Sequence, residues 1–166
     1  MKTDKQLLKE MGFQGFVTIG ELMNNSMGLV PSQMGVYVIL RETDEKPRFL
    51  SKGSGGFFKG NDPNVSLSKL LNNWVDDTHI VYIGKAGGHG NVSTLYKRLG
   101  QYMRFGQGES VGHWGGRYIW QLADSRDLLV CWKPLSVEEP REVEKRMIEA
   151  FKDAHKGKRP FANLID

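Results

Sequence analysis

Two short tyrosine motifs constrain the fold of this chain more than any other feature of its sequence. The tripeptide Gly-Val-Tyr occupies residues 35–37 and the tripeptide Tyr-Ile-Gly occupies residues 82–84. Each motif lies in an apolar run rich in valine and isoleucine, which is typical of a β-strand. We therefore expect two neighbouring strands that can place the phenols of Tyr37 and Tyr82 on one face of a sheet.

The length and composition are those of one small domain with its own hydrophobic core. The chain has 166 residues, of which 39% are hydrophobic and 25% are charged. Its single cysteine, Cys131, excludes an internal disulfide framework and a zinc site built from several cysteines. No apolar stretch has the length of a signal-peptide core or of a membrane span. We therefore expect a soluble, cytoplasmic protein with no membrane partner.

The charge balance is mildly basic. Lysine and arginine number 23 and aspartate and glutamate number 19, which gives a net charge of +4 and a pI near 9.2. Such a balance permits nucleic-acid binding but does not require it.

The remaining patterns predict an α+β fold, with a small central sheet of about three strands flanked by helices. A third strand is predicted for residues 128–132, while the aromatic spacing of residues 113–122 suits either a helix or a strand. The chain order is strand, strand, helix, strand, helix. The predicted helices of this part cover residues 67–74, residues 93–103, and a segment that begins at 138–140 and ends near 157.

The first 30 residues are expected to form a helical extension packed on the domain, which spans residues 31–166. A short helix is predicted for residues 4–11. Thr18 and Glu21 have the spacing of a capping box, so a second helix is expected to begin there.

A long insert, residues 41–77, separates the two tyrosine strands. It contains a glycine-rich loop flanked by Lys52 and Lys59. Loops of this length in a compact domain are usually functional or mobile. A flexible surface excursion and a phosphate-contacting role fit this loop about equally well, and the spacing of a Walker loop is absent.

Several residues have the chemistry needed to cleave a phosphodiester. Such a cleavage needs an activated water, neutralisation of the phosphate charge and help for the leaving oxygen. A tyrosine can act as a base only if nearby cations lower its pKa from about 10, and Lys85 and Arg98 are the obvious cations. Glu144 offers one carboxylate to Mg²⁺ or Mn²⁺, an ion that one carboxylate can hold together with waters and substrate phosphates.

Five elements follow one another in a fixed order along residues 33–165. They are Gly-Val-Tyr at 35–37, Tyr-Ile-Gly at 82–84, the helix with Arg98 and Tyr102, Glu144 in a Glu-x-x-Met-Ile segment, and Asn163 in a Pro-x-x-Asn segment. Together they resemble the motifs of the GIY-YIG endonuclease superfamily, with valine in place of the first isoleucine. The resemblance implies a metal-dependent nuclease that hydrolyses phosphodiesters, with DNA favoured over RNA as the substrate.

The resemblance also implies roles for individual residues. Tyr37 would lie beside the attacking water, as the base or as its positioning group, and Tyr82 would line the same cleft. Arg98 would neutralise the scissile phosphate. Glu144 would ligate Mg²⁺ or Mn²⁺.

The other matched positions are assigned supporting roles. Tyr102 would be a second helper, Lys85 would depress a tyrosine pKa, and Asn163 would brace the cleft through hydrogen bonds. A further set of side chains is expected to contact the nucleic acid: Lys52, Lys59, Lys97, Arg104, His113 and Arg117.

Each of these residues also has a purely structural interpretation. Strand tyrosines usually pack in a core, and a lone arginine such as Arg98 is usually a solvated helix residue. Glu144 lies in a run of charged residues, where Glu149 is the competing carboxylate. His113 alone could be an alternative base, a reader of nucleic acid or a loop histidine bound to the backbone. The five elements in order favour the functional interpretation.

The insert and residues 113–118 depart from the general superfamily pattern, so the substrate and the biological role stay open. One alternative is a nucleic-acid-binding module that has lost efficient cleavage. Another is a restriction-type or phage-defence nuclease with sequence preference, for which the insert would be the recognition surface. The oligomeric state does not follow from the sequence.

Overall fold

The protein has an α+β fold built on a four-stranded antiparallel sheet, described here by a computed structural model for residues 1–165. The strands stand in the order β1-β4-β2-β3, so β2 and β4 are central and β1 and β3 form the edges. Their bounds are β1 Gln14–Thr18, β2 Gly35–Leu40, β3 Ile80–Ala86 and β4 Leu129–Pro134. The predicted α+β class and all three predicted strands are confirmed, and the sheet has one strand more than expected.

The additional strand, β1, comes from the N-terminal segment, which was expected to be a helical extension. β1 pairs with β4 through a register shift between Gly15 and Val17, and Gly15 and Phe16 both have positive φ angles, 93° and 59°. A short strand with a bulge lacks the alternating pattern that would reveal it in a sequence. A side chain at Gly15 would collide with the Trp132 ring on β4, so the glycine allows the two strands to approach.

The helices begin and end close to the predicted residues. Thr18 caps the second helix by accepting a hydrogen bond from the Glu21 amide at 3.0 Å, and a π-helical turn and a 3₁₀ turn continue this helix. The ambiguous segment, residues 113–122, contains a 3₁₀ helix, Trp114–Gln121, with a kink at Gly116. The α-helices are α1 Asp4–Glu10, α2 Ile19–Glu21, α3 Leu67–Asn73, α4 Leu95–Phe105 and α5 Pro140–Ala154.

Both faces of the sheet are covered, which is why every residue of the central strand β2 is buried. Tyr37 and Ile39 belong to the larger core cluster, which includes the buried face of α4 and the 3₁₀ segment. Val36 and Val38 face the opposite way, into the smaller cluster formed with α1 and α5. Strand alternation therefore assigns the tyrosine of the first motif to the α4 side of the sheet.

The insert is anchored to the 3₁₀ helix by the buried amide of Gln121. The Gln121 Nε2 atom donates to the carbonyls of Leu50 and Val65, each at 3.0 Å, and its Oε1 atom accepts from the Val65 amide at 2.9 Å. The Gly56 amide also donates to the Phe105 carbonyl at the end of α4, at 2.8 Å. The insert and the segment from α4 to Gln121 are thus one packed unit.

Among residues 1–165, no helix combines the length and the apolar character that a membrane crossing needs.

Candidate active site

The two tyrosine motifs meet in the β2–β3 pair. Tyr37 lies directly opposite Gly84, and Ile39 lies opposite Tyr82, so both tyrosines project from the same face. Their ring centroids are 6.1 Å apart. The glycine of the second motif is required by this packing, because a Cβ atom at Gly84 would lie 2.4 Å from Cζ of Tyr37. The predicted placement of both phenols on one face is confirmed.

The tyrosines open onto a polar cleft of about 490 Å³. β3 contributes Lys85, α4 contributes Arg98 and Gln101, and α5 contributes Glu144. Gly87, Asn91 and Ser93, in the segment after β3, also line the cleft. The structure therefore brings five predicted site residues to one cavity, although they come from four separate elements: Tyr37, Tyr82, Lys85, Arg98 and Glu144.

Arg98 is held at the cleft by two hydrogen bonds from its guanidinium. Its Nη1 atom donates to the Gly112 carbonyl at 2.6 Å and to Oε1 of Gln101 at 3.2 Å. The carbonyl contact joins α4 to the loop that precedes the 3₁₀ helix. Arg98 also lines the cleft, where a guanidinium can meet an anion.

Glu144 is half-buried in the cleft, in contrast to the competing Glu149, which is exposed. Burial raises the pKa of the Glu144 carboxyl, while Lys85, Arg141 and Arg98 lower it. Within the part of the chain that the structure describes, no side chain forms an ion pair or hydrogen bond with this carboxylate. A half-buried carboxylate beside cations, with its oxygens uncommitted, is a suitable partner for a cation or for water.

The donor set limits how a metal ion can be held. Across residues 1–165 there is no group of three or more His, Cys, Asp or Glu side chains that could hold one. A site made wholly of protein ligands therefore does not fit this cleft. Glu144 fits the smaller role of a single oxygen ligand whose ion completes its coordination with waters and phosphate oxygens.

The expected lowering of a tyrosine pKa by nearby cations is wrong for the protein alone. Burial, followed by the neighbouring Tyr82, raises the pKa of Tyr37 well above 10.0, and Arg98 only partly opposes this effect. Burial likewise raises the pKa of Tyr82, to about 12. The cation Lys85 instead lowers the pKa of Glu144. Both cleft tyrosines are consequently neutral phenols at physiological pH.

Tyr102 lies behind the cleft, so its predicted role as a second helper needs correction. The side chain is 0% exposed, and its hydroxyl donates to the Gly116 carbonyl at 2.6 Å. Its ring stacks on that of His113 with the centroids 3.6 Å apart and the planes 2° apart. Tyr102 therefore supports other residues of the site and does not reach the cavity.

His113 is a candidate functional residue whose position the sequence did not predict. We expected a nucleic-acid contact or a loop histidine bound to backbone, but the side chain is 0% exposed and its Nε2 atom lies 2.7 Å from the Tyr37 hydroxyl. Burial, and then Arg98, keep the pKa of His113 well below 6.5, so the ring is neutral. The only sequence signal was a histidine in a segment foreign to the superfamily pattern, and nothing in that pattern indicates contact with Tyr37.

Asn163 braces the edge of the sheet, in agreement with its predicted role. Its Oδ1 atom accepts from the Ile83 amide at 2.9 Å and its Nδ2 atom donates to the Ile83 carbonyl at 2.8 Å. Ile83 stands between Tyr82 and Gly84 on the edge strand β3. Both hydrogen bonds are buried, so the C-terminal segment fixes the backbone of the second tyrosine motif.

The basic residues expected to contact nucleic acid divide by position. Lys97 and Arg104 are exposed on α4 and line a second cavity of about 340 Å³, which shares Gln101 with the cleft. Arg117 is half-buried, with its guanidinium 4.4 Å from the centre of the Trp114 ring. Lys52 and Lys59 are exposed on the insert, outside the residues that line the cleft.

No family model, curated protein or solved structure matches this chain.

Proposed function

We propose that the protein is a metal-dependent nuclease of the GIY-YIG type, which hydrolyses phosphodiester bonds in a nucleic acid. The observation that carries the proposal is the convergence of Tyr37, Tyr82, Arg98 and Glu144 on one polar cleft. Phosphodiester hydrolysis needs a held water, a cation for the phosphate and an oxygen ligand for a divalent ion. The motifs alone predicted this set, and its convergence from four elements supports the prediction.

The proposed roles follow from the side chains of the cleft. Arg98, which lines the cavity, binds the scissile phosphate through its guanidinium. Tyr37 positions the attacking water through its phenol oxygen, since its raised pKa keeps the group neutral before substrate arrives. A bound Mg²⁺ or Mn²⁺ would supply positive charge for the phosphate and for the attacking oxygen. Glu144 holds that ion, and Lys85 partly offsets the rise in the Glu144 pKa that burial causes.

The surface beside the cleft is suited to a polyanion. Lys97 and Arg104 extend the basic character of Arg98 along the exposed side of α4. A phosphate backbone that lies across the cleft would meet these cations on neighbouring phosphates. DNA as the favoured substrate and a cytoplasmic location belong to the proposal as predictions.

The proposal is tested with two matched glutamates of α5. Plasmid, single-stranded DNA and RNA are incubated with wild type, Glu144→Gln and Glu149→Gln in Mg²⁺ and in Mn²⁺. We expect wild type and Glu149→Gln to cleave at least one substrate and Glu144→Gln to lose about 100-fold or more of the rate. If wild type and Glu144→Gln cleave the substrates at the same rate, or if both leave them intact, the proposed role of the cleft is overturned.

A nucleic-acid-binding module without cleavage is the second candidate. It is favoured by the raised pKa of Tyr37 and by the lack of a multi-ligand metal cluster in the described part of the chain. This candidate predicts salt-sensitive binding without metal-dependent nicking. Binding and cleavage measured on the same oligonucleotides therefore distinguish the two candidates.

A further inference from the structure

His113 and Tyr37 form a direct buried contact between two distant parts of the chain. Nε2 of His113 lies 2.7 Å from the Tyr37 hydroxyl oxygen, and both side chains are at most 1% exposed. At this distance one hydrogen atom lies between the two heavy atoms, so one group donates and the other accepts. The direction of this hydrogen bond decides whether the Tyr37 hydroxyl spends its own proton on His113 or keeps that proton for another partner.

The surroundings of His113 hold its ring in one position. The ring stacks flat on Tyr102, whose hydroxyl is itself fixed by the Gly116 carbonyl. Arg98 also binds the carbonyl of Gly112, the residue that precedes the histidine. A Cβ atom at Gly116 would collide with the Tyr102 hydroxyl, so this packing depends on the glycine.

The second ring nitrogen indicates the direction of the hydrogen bond. Nδ1 of His113 is buried, and no group within residues 1–165 meets the geometry of a hydrogen bond to it. The interaction of the ring with the histidine's own backbone, which raises the pKa of His113, is the smallest effect on that pKa, after burial and Arg98. If Tyr37 donated, the neutral ring would carry its proton on Nδ1 as an unpaired buried N–H, which native structures rarely contain. If His113 donates from Nε2, only a lone pair is left unpaired.

We infer that His113 is a positioning residue that carries its proton on Nε2 and donates it to the Tyr37 oxygen. The proton of the Tyr37 hydroxyl is then not used by His113, and its oxygen keeps one acceptor position for a group in the cleft. The catalytic consequence rests on the proposed nuclease function, in which that group is the attacking water. A donor from His113 also stabilises negative charge that develops on the Tyr37 oxygen.

The tautomer is measured directly by ¹⁵N NMR of the histidine rings in the full-length protein, without any nuclease assay. Loss of one spin system in His113→Gln assigns the His113 signals. We expect a protonated Nε2 and an unprotonated Nδ1, with the Nε2 signal moving in Tyr37→Phe, which lacks the acceptor. A protonated Nδ1 with a bare Nε2 would overturn the inference even if the protein proves to be an active nuclease.

The positioning role is tested by three variants under conditions where wild type cleaves. His113→Phe keeps a ring on Tyr102 but lacks a donor, and His113→Gln can present an N–H near the Nε2 position. His155→Phe, at the residue that follows α5, is the control. We expect kcat to fall about 10- to 100-fold in His113→Phe, the effect of losing a hydrogen bond to a charged group, with KM little changed.

Partial recovery in His113→Gln and a wild-type rate in His155→Phe complete the expected pattern, and circular dichroism confirms that each variant is folded. A folded His113→Phe protein with the wild-type kcat would refute the positioning role. The NMR result does not depend on cleavage. A protein that cleaves nothing would therefore contradict the proposed function, while the NMR measurement would still decide the tautomer of His113.

Discussion

Gly84 lies directly opposite Tyr37 across the β2–β3 pair, and its missing side chain leaves the space that the phenol occupies. The second tyrosine motif thus contributes more than its own tyrosine. Its final glycine, Gly84, also leaves room on β3 for the ring of Tyr37 to pack beside the cleft. The register that places Gly84 opposite Tyr37 is therefore needed to pack the phenol, as well as to bring the two tyrosines to one cleft.

Gly84→Ala is expected to move Tyr37 and to damage both stability and cleavage. The added methyl group would lie 2.4 Å from Cζ of Tyr37, so the ring must shift, at a cost of roughly 1–3 kcal/mol in the free energy of unfolding. Urea unfolding measures this cost. Gly28→Ala is the control, because a Cβ at Gly28 meets no atom within 4 Å. Equal destabilisation of both variants would contradict the packing explanation.

Asn163→Ala is expected to loosen the edge strand at the second motif. The change leaves the buried amide and carbonyl of Ile83 without their side-chain partner, which should lower the free energy of unfolding by roughly 2–4 kcal/mol. Hydrogen exchange at the Ile83 amide should quicken. Asn24→Ala, at an exposed position, should change neither quantity. An Ile83 amide that stays protected in Asn163→Ala would show that the side chain is not what fixes β3.

Much of the fold follows from local patterns. The strands β2, β3 and β4 are apolar and β-branched, and α4 and α5 show the three-to-four residue spacing of a helix face, so short-range signals identify them. β1 escaped detection because its bulge and positive φ angles remove the alternation on which strand prediction depends. Its pairing with β4 joins residues more than 100 positions apart, and no local signal reports such a contact.

Only part of the candidate site could be predicted, again because local motifs reveal some of its residues and not others. Tyr37, Tyr82, Arg98 and Glu144 each lie in a recognisable motif, so their common cleft could be anticipated. His113 lies in no such motif, and its contact with Tyr37 arises from how the loop after α4 folds back over Tyr102. The pKa values could not be predicted either, because desolvation depends on burial, which only the folded chain fixes.

The buried tyrosines are expected to make the protein sensitive to alkali. The pKa of Tyr82 is about 12 in the folded state, and those of Tyr37 and Tyr102 are raised as well, whereas an unfolded phenol ionises near pH 10. The stability that neutral burial provides is therefore present below about pH 10 and is lost as the pH rises toward 12. The urea midpoint, measured from neutral pH upward, should fall in this range.

Tyr82→Phe supplies the comparison for the alkaline series, because phenylalanine fills a similar volume without an ionisable group. Its midpoint should fall less steeply with pH than that of wild type. An identical slope in the two proteins would show that ionisation of Tyr82 is not coupled to unfolding.

Lys97 and Arg104 are expected to contribute to nucleic-acid affinity through charge alone. Both are exposed beside the cleft, so each should neutralise one phosphate of a bound strand. Changing either to glutamine should reduce the slope of log K against log salt concentration by about 1, measured by fluorescence anisotropy without divalent metal. Lys9→Gln, on α1 across the sheet, is the matched control. An unchanged slope in Lys97→Gln and Arg104→Gln would exclude this face from the binding surface.

Gln121→Leu is expected to release the insert while leaving the sheet intact. The buried amide makes three hydrogen bonds to the backbone of Leu50 and Val65, and leucine can make none of them. Because buried backbone groups without partners are costly, the insert should open more often, and limited proteolysis should cut within residues 51–62 faster than in wild type. Gln107→Leu, at an exposed position near the end of α4, should be cut by the protease at the wild-type rate. If the insert of Gln121→Leu resists protease as well as wild type does, other contacts, such as that of Gly56 with Phe105, must be sufficient to hold it.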